Sequence, residues 1–478
     1  MQKKIISILL LASIIASIGC SGEAAQSGDN TTASNTTSAA PADEYEFSTA
    51  YEGYEYRVLN ADDIYSMHAK IDPGEANGDT LNDAEYERCR TLEDKMGIKF
   101  VETNLGVDSK VAEEATKVVL ADEDAYDVIY IPARNMYALS SEGYFNNLLD
   151  LDGLQLDKEW WLSSYNDPSI VNGQLWAAAN YSQLMIIDSV WAIYYNETMG
   201  ENLGLKTPYQ TVKDGKWTLD KMGTYMKAAA SLNGDNTFTW DPEGNSIYGL
   251  ACDHTIHLIR SCDELTIESE NGKLIYTAGS SRYYDVISRI VNVLNESDGS
   301  VYYKRVSATD DQPGHYIYTF EHERSLMLTA EIAKTNRMRD KDYSFGVLPM
   351  PKYDEAQENY IGVPFYGTPC VSIPVTSPDP EKVAVITDAL AYLSFKNVWG
   401  VFRNVTLEQK NLRNEESIEM LDIIINSIVP SLTTIYSVGS DLEVAVKDIM
   451  MTGSDAVSST LASYESSIKT ELEKINSK

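Results

Sequence analysis

His254 and His257 stand three residues apart, a spacing that turns two imidazoles toward one helical face and would hold zinc if a third donor joined them. The chain has only five histidines and none of the others is near in sequence. The pair therefore reads as two helix-surface histidines, and neither a metal nor any other cofactor is expected. The 72 acidic residues could supply the two carboxylates of a glycosidase, but counting cannot pick out a pair. A phosphate-cradling glycine loop, a G-x-S-x-G elbow and an H-E-x-x-H helix are all missing from the sequence. Tryptophan offers a different chemistry. Trp160, Trp161, Trp176, Trp191, Trp217 and Trp240 are six of the seven in the chain and fall within one stretch. Flat indole faces stack on the C–H face of a pyranose while neighbouring polar groups read its hydroxyls. Core packing is the competing account for each of them. The 31 tyrosines against 9 phenylalanines fit a half-wet lined cleft and a Tyr-rich surface equally well.

Such side chains need a scaffold, and the first folded stretch supplies its pattern. Tyr54 to Asn60 alternates as a strand, Ala84 to Met96 reads as a charged helix ending at Gly97, and Ile98 to Val101 is a second strand. Val111, Ala115, Val118 and Val119 recur at helical spacing before Tyr126 to Ile131, an apolar run of buried-strand type. This β-α-β-α-β order predicts a parallel sheet covered by helices, an α/β fold. In such sheets ligands sit beyond the carboxyl ends of the strands, so Tyr130, Arg134 and Asn135 become candidates by position. A plain strand-to-helix connection is the alternative for each. Further on, Thr218 caps a helix carrying Met222, Tyr225, Met226 and Ala229, and Phe345 to Asp354 is extended and broken by prolines. Val371 to Pro374 is a short strand. Helices carry Ala384, Ala391 and Leu393, and then Ile418, Leu421, Ile424 and Ile425. The body is too long for one ordinary core and calls for two lobes.

A formal net charge of −34 disfavours nucleic acid or an anionic membrane as a partner, since both would be repelled. Cys89, Cys252, Cys262 and Cys370 form no CxxC pair and imply no zinc site. Cys252 and Cys262 are close enough for a disulfide in an oxidising compartment, although buried thiols are the commoner use. At the N-terminus Lys3 and Lys4 precede an apolar run from Ile5 to Ile18 that is too short to span a bilayer. Residues 1–19 thus read as a secretory signal peptide. Residues 20–44 are built almost wholly of small, polar and acidic side chains, which cannot bury apolar surface, and read as a disordered tether. Gly19-Cys20 after that run resembles the lipobox of bacterial lipoproteins, which implies acylation of Cys20 and an anchor in the cell membrane.

Several phrases carry a wider resemblance: Tyr126-Asp127-Val128-Ile129-Tyr130, Gly143-Tyr144-Phe145-Asn146-Asn147-Leu148, Trp160-Trp161 and Asn172-Gly173-Gln174-Leu175-Trp176. Tyr194-Tyr195-Asn196, Gly215-Lys216-Trp217-Thr218-Leu219 and the run from Gly346 to Glu355 continue it in order along the body. In these the chain resembles the extracellular solute-binding proteins of ABC importers, of the carbohydrate type. The resemblance implies a two-lobed periplasmic-binding-protein-like α/β fold with hinge strands between the lobes, closing on a ligand at their interface. It implies an extracytoplasmic monomer that is no enzyme and delivers a sugar or oligosaccharide to ABC permease subunits. Alternatives are a peptide or other solute binder on the same scaffold, or a surface glycoside hydrolase. The expected division is 45–156 for the first part of lobe 1, 157–318 for lobe 2, 319–378 for a lobe 1 return with hinge, and 379–478 for helices packing on both lobes. Within that frame Trp161 and Trp191 are expected as stacking platforms, Tyr366 and Trp399 as aromatic walls, and Arg134, Asn135 and Asp188 as hydroxyl readers. Pro430 departs from the family pattern and, lacking a backbone donor, should kink or end the helix there.

Overall fold

The alternation in Glu55–Asn60 and the apolar run in Val128–Pro132 become neighbouring parallel strands, with Val58 opposite Val128. Lys99–Asn104 lies parallel on the other side, Tyr56 opposite Phe100. Pro369–Ser372 closes the far edge antiparallel to Val128–Pro132, giving a four-stranded sheet. Helix Thr80–Met96 stops where Gly97 turns left-handed at φ 71°, a conformation glycine adopts without a Cβ penalty. Helix Asp108–Leu120 lays Val111, Ala112, Ala115 and Val118 into the core, the four-residue repeat of one helical face. The structure, a computed structural model, describes residues 45–61, 63–64, 67–238, 244–303, 310–338, 340–408 and 415–478. The expected signal peptide 1–19, the tether 20–44 with Cys20, and Trp240 lie outside them.

A second sheet of five strands runs Val301–Tyr303, Tyr248–Cys252, Ser325–Glu331, Trp191–Asn196 and Phe345–Leu348 in spatial order. The first three are parallel; Trp191–Asn196 is antiparallel to Ser325–Glu331, placing Trp191 opposite Glu331. The carboxyl ends of the parallel strands and the start of Trp191–Asn196 therefore share one rim. Both sheets belong to one unit from Phe47 to Lys478.

Sheet membership revises the expected boundaries. The stretch 157–190 still serves the first sheet, since Ala178 bridges to Val371, and the second sheet begins only at Trp191. Of 319–378, expected as a lobe 1 return, Ser325–Glu331 and Phe345–Leu348 join the second sheet and only Pro369–Ser372 returns to the first. Ser325–Glu331 is buried at all seven positions and suits the centre of either sheet, so its pattern carries no address. Two crossing segments are stitched together between the sheets: the Phe365 amide donates to the Ser189 carbonyl at 3.1 Å, and the Ser189 and Thr368 hydroxyls lie 2.8 Å apart.

The C-terminal helices divide their contacts. Pro380–Leu393 packs on Thr80–Met96 beside the first sheet, Glu415–Asn426 packs on Phe345–Leu348, and Ser440–Thr452 packs on Ser281–Val293 beside the second. The chain is no longer helical at Pro430: Ile428 bridges to Gly362, and Ser431 caps a new short helix, Leu432–Tyr436. Cys252 and Cys262 are both buried free thiols, so the disulfide left open by their spacing does not form.

Candidate functional site

Where the two rims face each other, a cavity of about 440 Å³ opens between Arg134 and Tyr366 from the first-sheet side, Trp191, His254, His257 and Arg260 from the second, and Ser437, Glu443 and Lys447 from the C-terminal helices. That volume lies in the usual range for small-molecule sites, about 300–1,000 Å³.

Trp191 forms its aromatic floor. As the first residue of its strand it pairs with Glu331 on one side, the other ladder starting only at Ile193, and it is only 2% exposed. The His257 imidazole stacks on it, centroids 4.5 Å apart and planes 15° apart, and His254 leans in at 4.9 Å. Neither the Trp191 Nε1 nor the His257 Nδ1 has a hydrogen-bond partner, although both are buried. Burial, reinforced by the Arg260, His254 and Lys447 charges, drives the His257 pKa well below its ordinary value, so this imidazole is neutral at pH 7. The expectation of two helix-surface histidines is thereby corrected. His257 sits in the helix Ile256–Ser261, which is buried throughout and folds over the rim immediately after strand Tyr248–Cys252.

Opposite, Arg134 leaves the carboxyl end of Val128–Pro132 in a turn of 3-10 helix. Its guanidinium reaches Asp108 at 2.6 Å and lies over the Tyr366 ring at 5.1 Å, a cation–π arrangement. Its amide donates to the Tyr366 carbonyl at 3.1 Å. Gly367 is needed beside it, because a Cβ there would meet Asp108 Oδ2 at 2.7 Å and Arg134 Nη1 at 3.1 Å. That Nη1 is buried without a hydrogen-bond partner. Arg260 pairs with Glu443 at 2.7 Å and Lys447 with Asp253 at 3.4 Å.

Of the positions singled out from sequence, the cavity brings together Arg134, Trp191 and Tyr366, the last 44% exposed. Asn135 follows Arg134, off the lining, with its Oδ1 buried and unpartnered. Tyr130 does not reach the cavity: it is buried in the first sheet, its hydroxyl 2.6 Å from Ser182 Oγ. Trp161 is likewise no platform. Its Nε1 donates to Asp388 at 2.7 Å, alongside Trp160 at 3.0 Å. Asp188 is buried beside the Ser189 crossing and off the lining. Trp399 lies in the π-helical stretch Ser394–Trp399, packed 5.5 Å from the Tyr181 ring. Trp217 is fully buried and donates to the Pro349 carbonyl, and Trp176 packs on Tyr137. Within the tryptophan-rich stretch only Trp191, among the described residues, faces the cavity.

His254, His257, Arg260, Glu443 and Lys447 were missed. For the histidines the signal existed: they follow the end of a buried strand, the same position that marked Arg134. For Glu443 and Lys447, on a helix far along the chain, no local pattern points to the rim.

No protein-family model matches the chain, and no curated protein matches it in sequence. Solved structures do. The cyclic α-maltosyl-1,6-maltose-binding protein of Arthrobacter globiformis is 12% identical with a TM-score of 0.60, over 88% of this chain and 100% of that one. UgpB of Mycobacterium tuberculosis, solved with glycerophosphocholine, is 14% identical with a TM-score of 0.56, over 88% and 98%. The GacH receptor of Streptomyces glaucescens, solved with acarbose, is 12% identical with a TM-score of 0.52, over 88% and 99%. At such identities the likeness is one of architecture: the chain has the two-lobed α/β fold of these binding proteins.

Proposed function

We propose that this protein is an extracytoplasmic solute-binding protein that captures a small carbohydrate and delivers it to an ABC importer, tethered to the membrane by lipid on Cys20. The observation that carries the reading is the Trp191 floor: a rigid indole at the rim between two sheets, with Trp191 Nε1, His257 Nδ1 and Arg134 Nη1 all buried and unpartnered around one cavity. Buried polar atoms without partners cost free energy in the empty protein, on the order of 1–3 kcal/mol each, and a hydroxyl-rich ligand supplies what they lack. The Trp191 indole is itself covered by the His257 stack, so the aromatic surface left for a ligand is the half-exposed Tyr366 ring; a ring beside such donors suits a pyranose better than an extended peptide, whose backbone would need a sheet edge. Walls drawn from both sheets also give the ligand contacts that exist only when the lobes are closed, so binding shifts an open and closed equilibrium. The maltosyl and acarbose ligands of its structural neighbours support the same class.

The test is a thermal-shift screen of the full chain against mono- and oligosaccharides, amino acids and peptides. A ligand at 100 times its Kd stabilises the folded state by about 2.7 kcal/mol. A shift within one saccharide series and none with peptides is expected; a response to peptides alone would sink the carbohydrate reading. For the tether, Cys20→Ala should move the protein from the membrane fraction to the medium and abolish labelling by radioactive palmitate.

A further inference from the structure

The chain carries 72 acidic against 38 basic residues, so a patch of its surface taken at random is acidic. The cavity inverts that balance. Its lining contains three permanent cations, Arg134, Arg260 and Lys447, together with His254 and His257, and one carboxylate, Glu443.

From this inversion we propose that the ligand is an acidic saccharide, a sugar bearing an oxyanion group that Arg134, Arg260 and Lys447 bind; the proposal rests on the carbohydrate reading above and narrows it.

The existing ion pairs do not use up these cations. Glu443 accepts from Arg260 Nη2 at 2.7 Å and also from Thr266 at 3.1 Å, so its oxygens are shared. Arg260 is 8% exposed, and its Nε is left without an acceptor. Asp108 holds Arg134 from outside the lining, and Arg134 Nη1 remains unpartnered. Asp253, also outside the lining, is 3.4 Å from Lys447, a loose contact. Glu331, opposite Trp191 in the ladder, is buried, its pKa is raised by that burial, and it lies outside the lining.

A guanidinium offers a planar fork of donors that matches carboxylate, sulfate or phosphate and forms stronger bonds to an oxyanion than to a neutral hydroxyl. Each cation already faces one carboxylate, Asp108, Glu443 or Asp253, which offsets part of the repulsion among the three across one partly enclosed space of reduced dielectric and leaves a remainder. Burial is the main reason His257 is neutral, and the nearby Arg260, His254 and Lys447 push it the same way. An anion between them removes that repulsion, whereas a neutral sugar leaves it in place. The apolar part of the wall, Trp191, Phe365, Tyr366 and Val444, argues against a bare inorganic anion and for an acid carried on a ring.

Isothermal titration calorimetry on the full chain in detergent tests this. The probes are a trimer of α-1,4-linked galacturonic acid, a sulfated chondroitin disaccharide, glucose 6-phosphate and a neutral galactose trimer, at low salt and at about 0.5 M salt, where the Debye length falls to a few ångströms. The expected result is that at least one acidic probe binds about tenfold or more tighter than the neutral trimer, with the tightest arm naming the acid. Its affinity should fall with salt. Lys447→Gln, at a half-buried position that leaves the Arg pairs intact, should weaken that probe about tenfold and weaken any neutral binding by clearly less. Arg134→Gln should weaken it further. Neutral sugars binding as tightly as the acids, with Lys447→Gln without effect, would overturn the proposal while leaving the carbohydrate reading standing. No response to any saccharide beside a response to peptides would overturn both.

Discussion

Trp161 and Trp191 are buried to the same degree, each 2% exposed, and serve opposite ends. Trp160 and Trp161 both aim their indole N–H groups at Asp388, which also accepts from the Gln155 amide and its side-chain Nε2, each at 3.0 Å. Asp388 is fully buried on the helix Pro380–Leu393, so this cluster fastens the C-terminal helices to the first-sheet side. At the rim of the second sheet Trp191 is as deeply buried, yet its N–H finds nothing. Burial alone does not separate the two roles. What separates them is whether the chain answers the polar atom itself or leaves it for something else.

The comparison can be broken first at Asp388. Asp388→Ala removes one acceptor and strands four donors, and should lower unfolding stability by about 3–5 kcal/mol. Denaturant melts would report the loss, and saccharide affinity measured on the still-folded protein should not change. An affinity change would mean that this cluster also sets the site.

A finer version is Trp161→Phe, which keeps most of the ring but deletes the 2.7 Å bond to a buried carboxylate. Hydrogen bonds to charged groups are worth about 1.5–3 kcal/mol, and that is the expected destabilisation. A loss below about 0.5 kcal/mol in guanidinium melts would show that Trp160 and Gln155 satisfy Asp388 on their own.

The same contrast explains how far the sequence could be read. Helix Thr80–Met96 with its stop at Gly97, the Thr218 cap whose side chain accepts from the Lys221 amide, and the break at Pro430 all follow from local stereochemistry and are present in the fold. Arg134 was legible because its position at a strand end is also local. Trp161 was misread as a platform because the residue that claims it, Asp388, lies 227 positions away. For the same reason the pattern of Ser325–Glu331 could not name its sheet, and nothing near Glu443 or Lys447 announces that their helix closes the cavity. Pattern encodes burial; partners at long range decide its purpose.

His257 sharpens the comparison through pH. Its folded pKa lies well below the ordinary value, so between about pH 6.5 and that depressed value the unfolded chain takes up a proton that the native chain does not. The groups that face it, Arg260, His254 and Lys447, all push in the same direction. Native stability should therefore fall as pH drops below about 6.5, by up to roughly 1.4 kcal/mol per pH unit from this group. His257→Phe keeps the stack on Trp191 and removes the titration. The difference between wild type and variant, followed by urea unfolding from pH 7.5 to 5, should carry this slope; equal slopes in the two proteins would mean that the imidazole is reached by solvent and charges freely.

Trp191→Phe is the smallest change and the most direct test of an unanswered N–H. If Nε1 has no partner in the empty protein, deleting it removes a desolvation cost that offsets the lost ring area, so stability should move by less than about 1 kcal/mol. That is less than the loss expected for the same replacement at Trp161. Affinity should move instead: a bound hydroxyl or oxyanion loses one donor, worth about 1 kcal/mol or roughly fivefold in Kd for whichever panel saccharide binds the wild type. A variant that binds as tightly as wild type but unfolds as readily as Trp161→Phe would place Trp191 among the structural tryptophans and dissolve the distinction between the two sites.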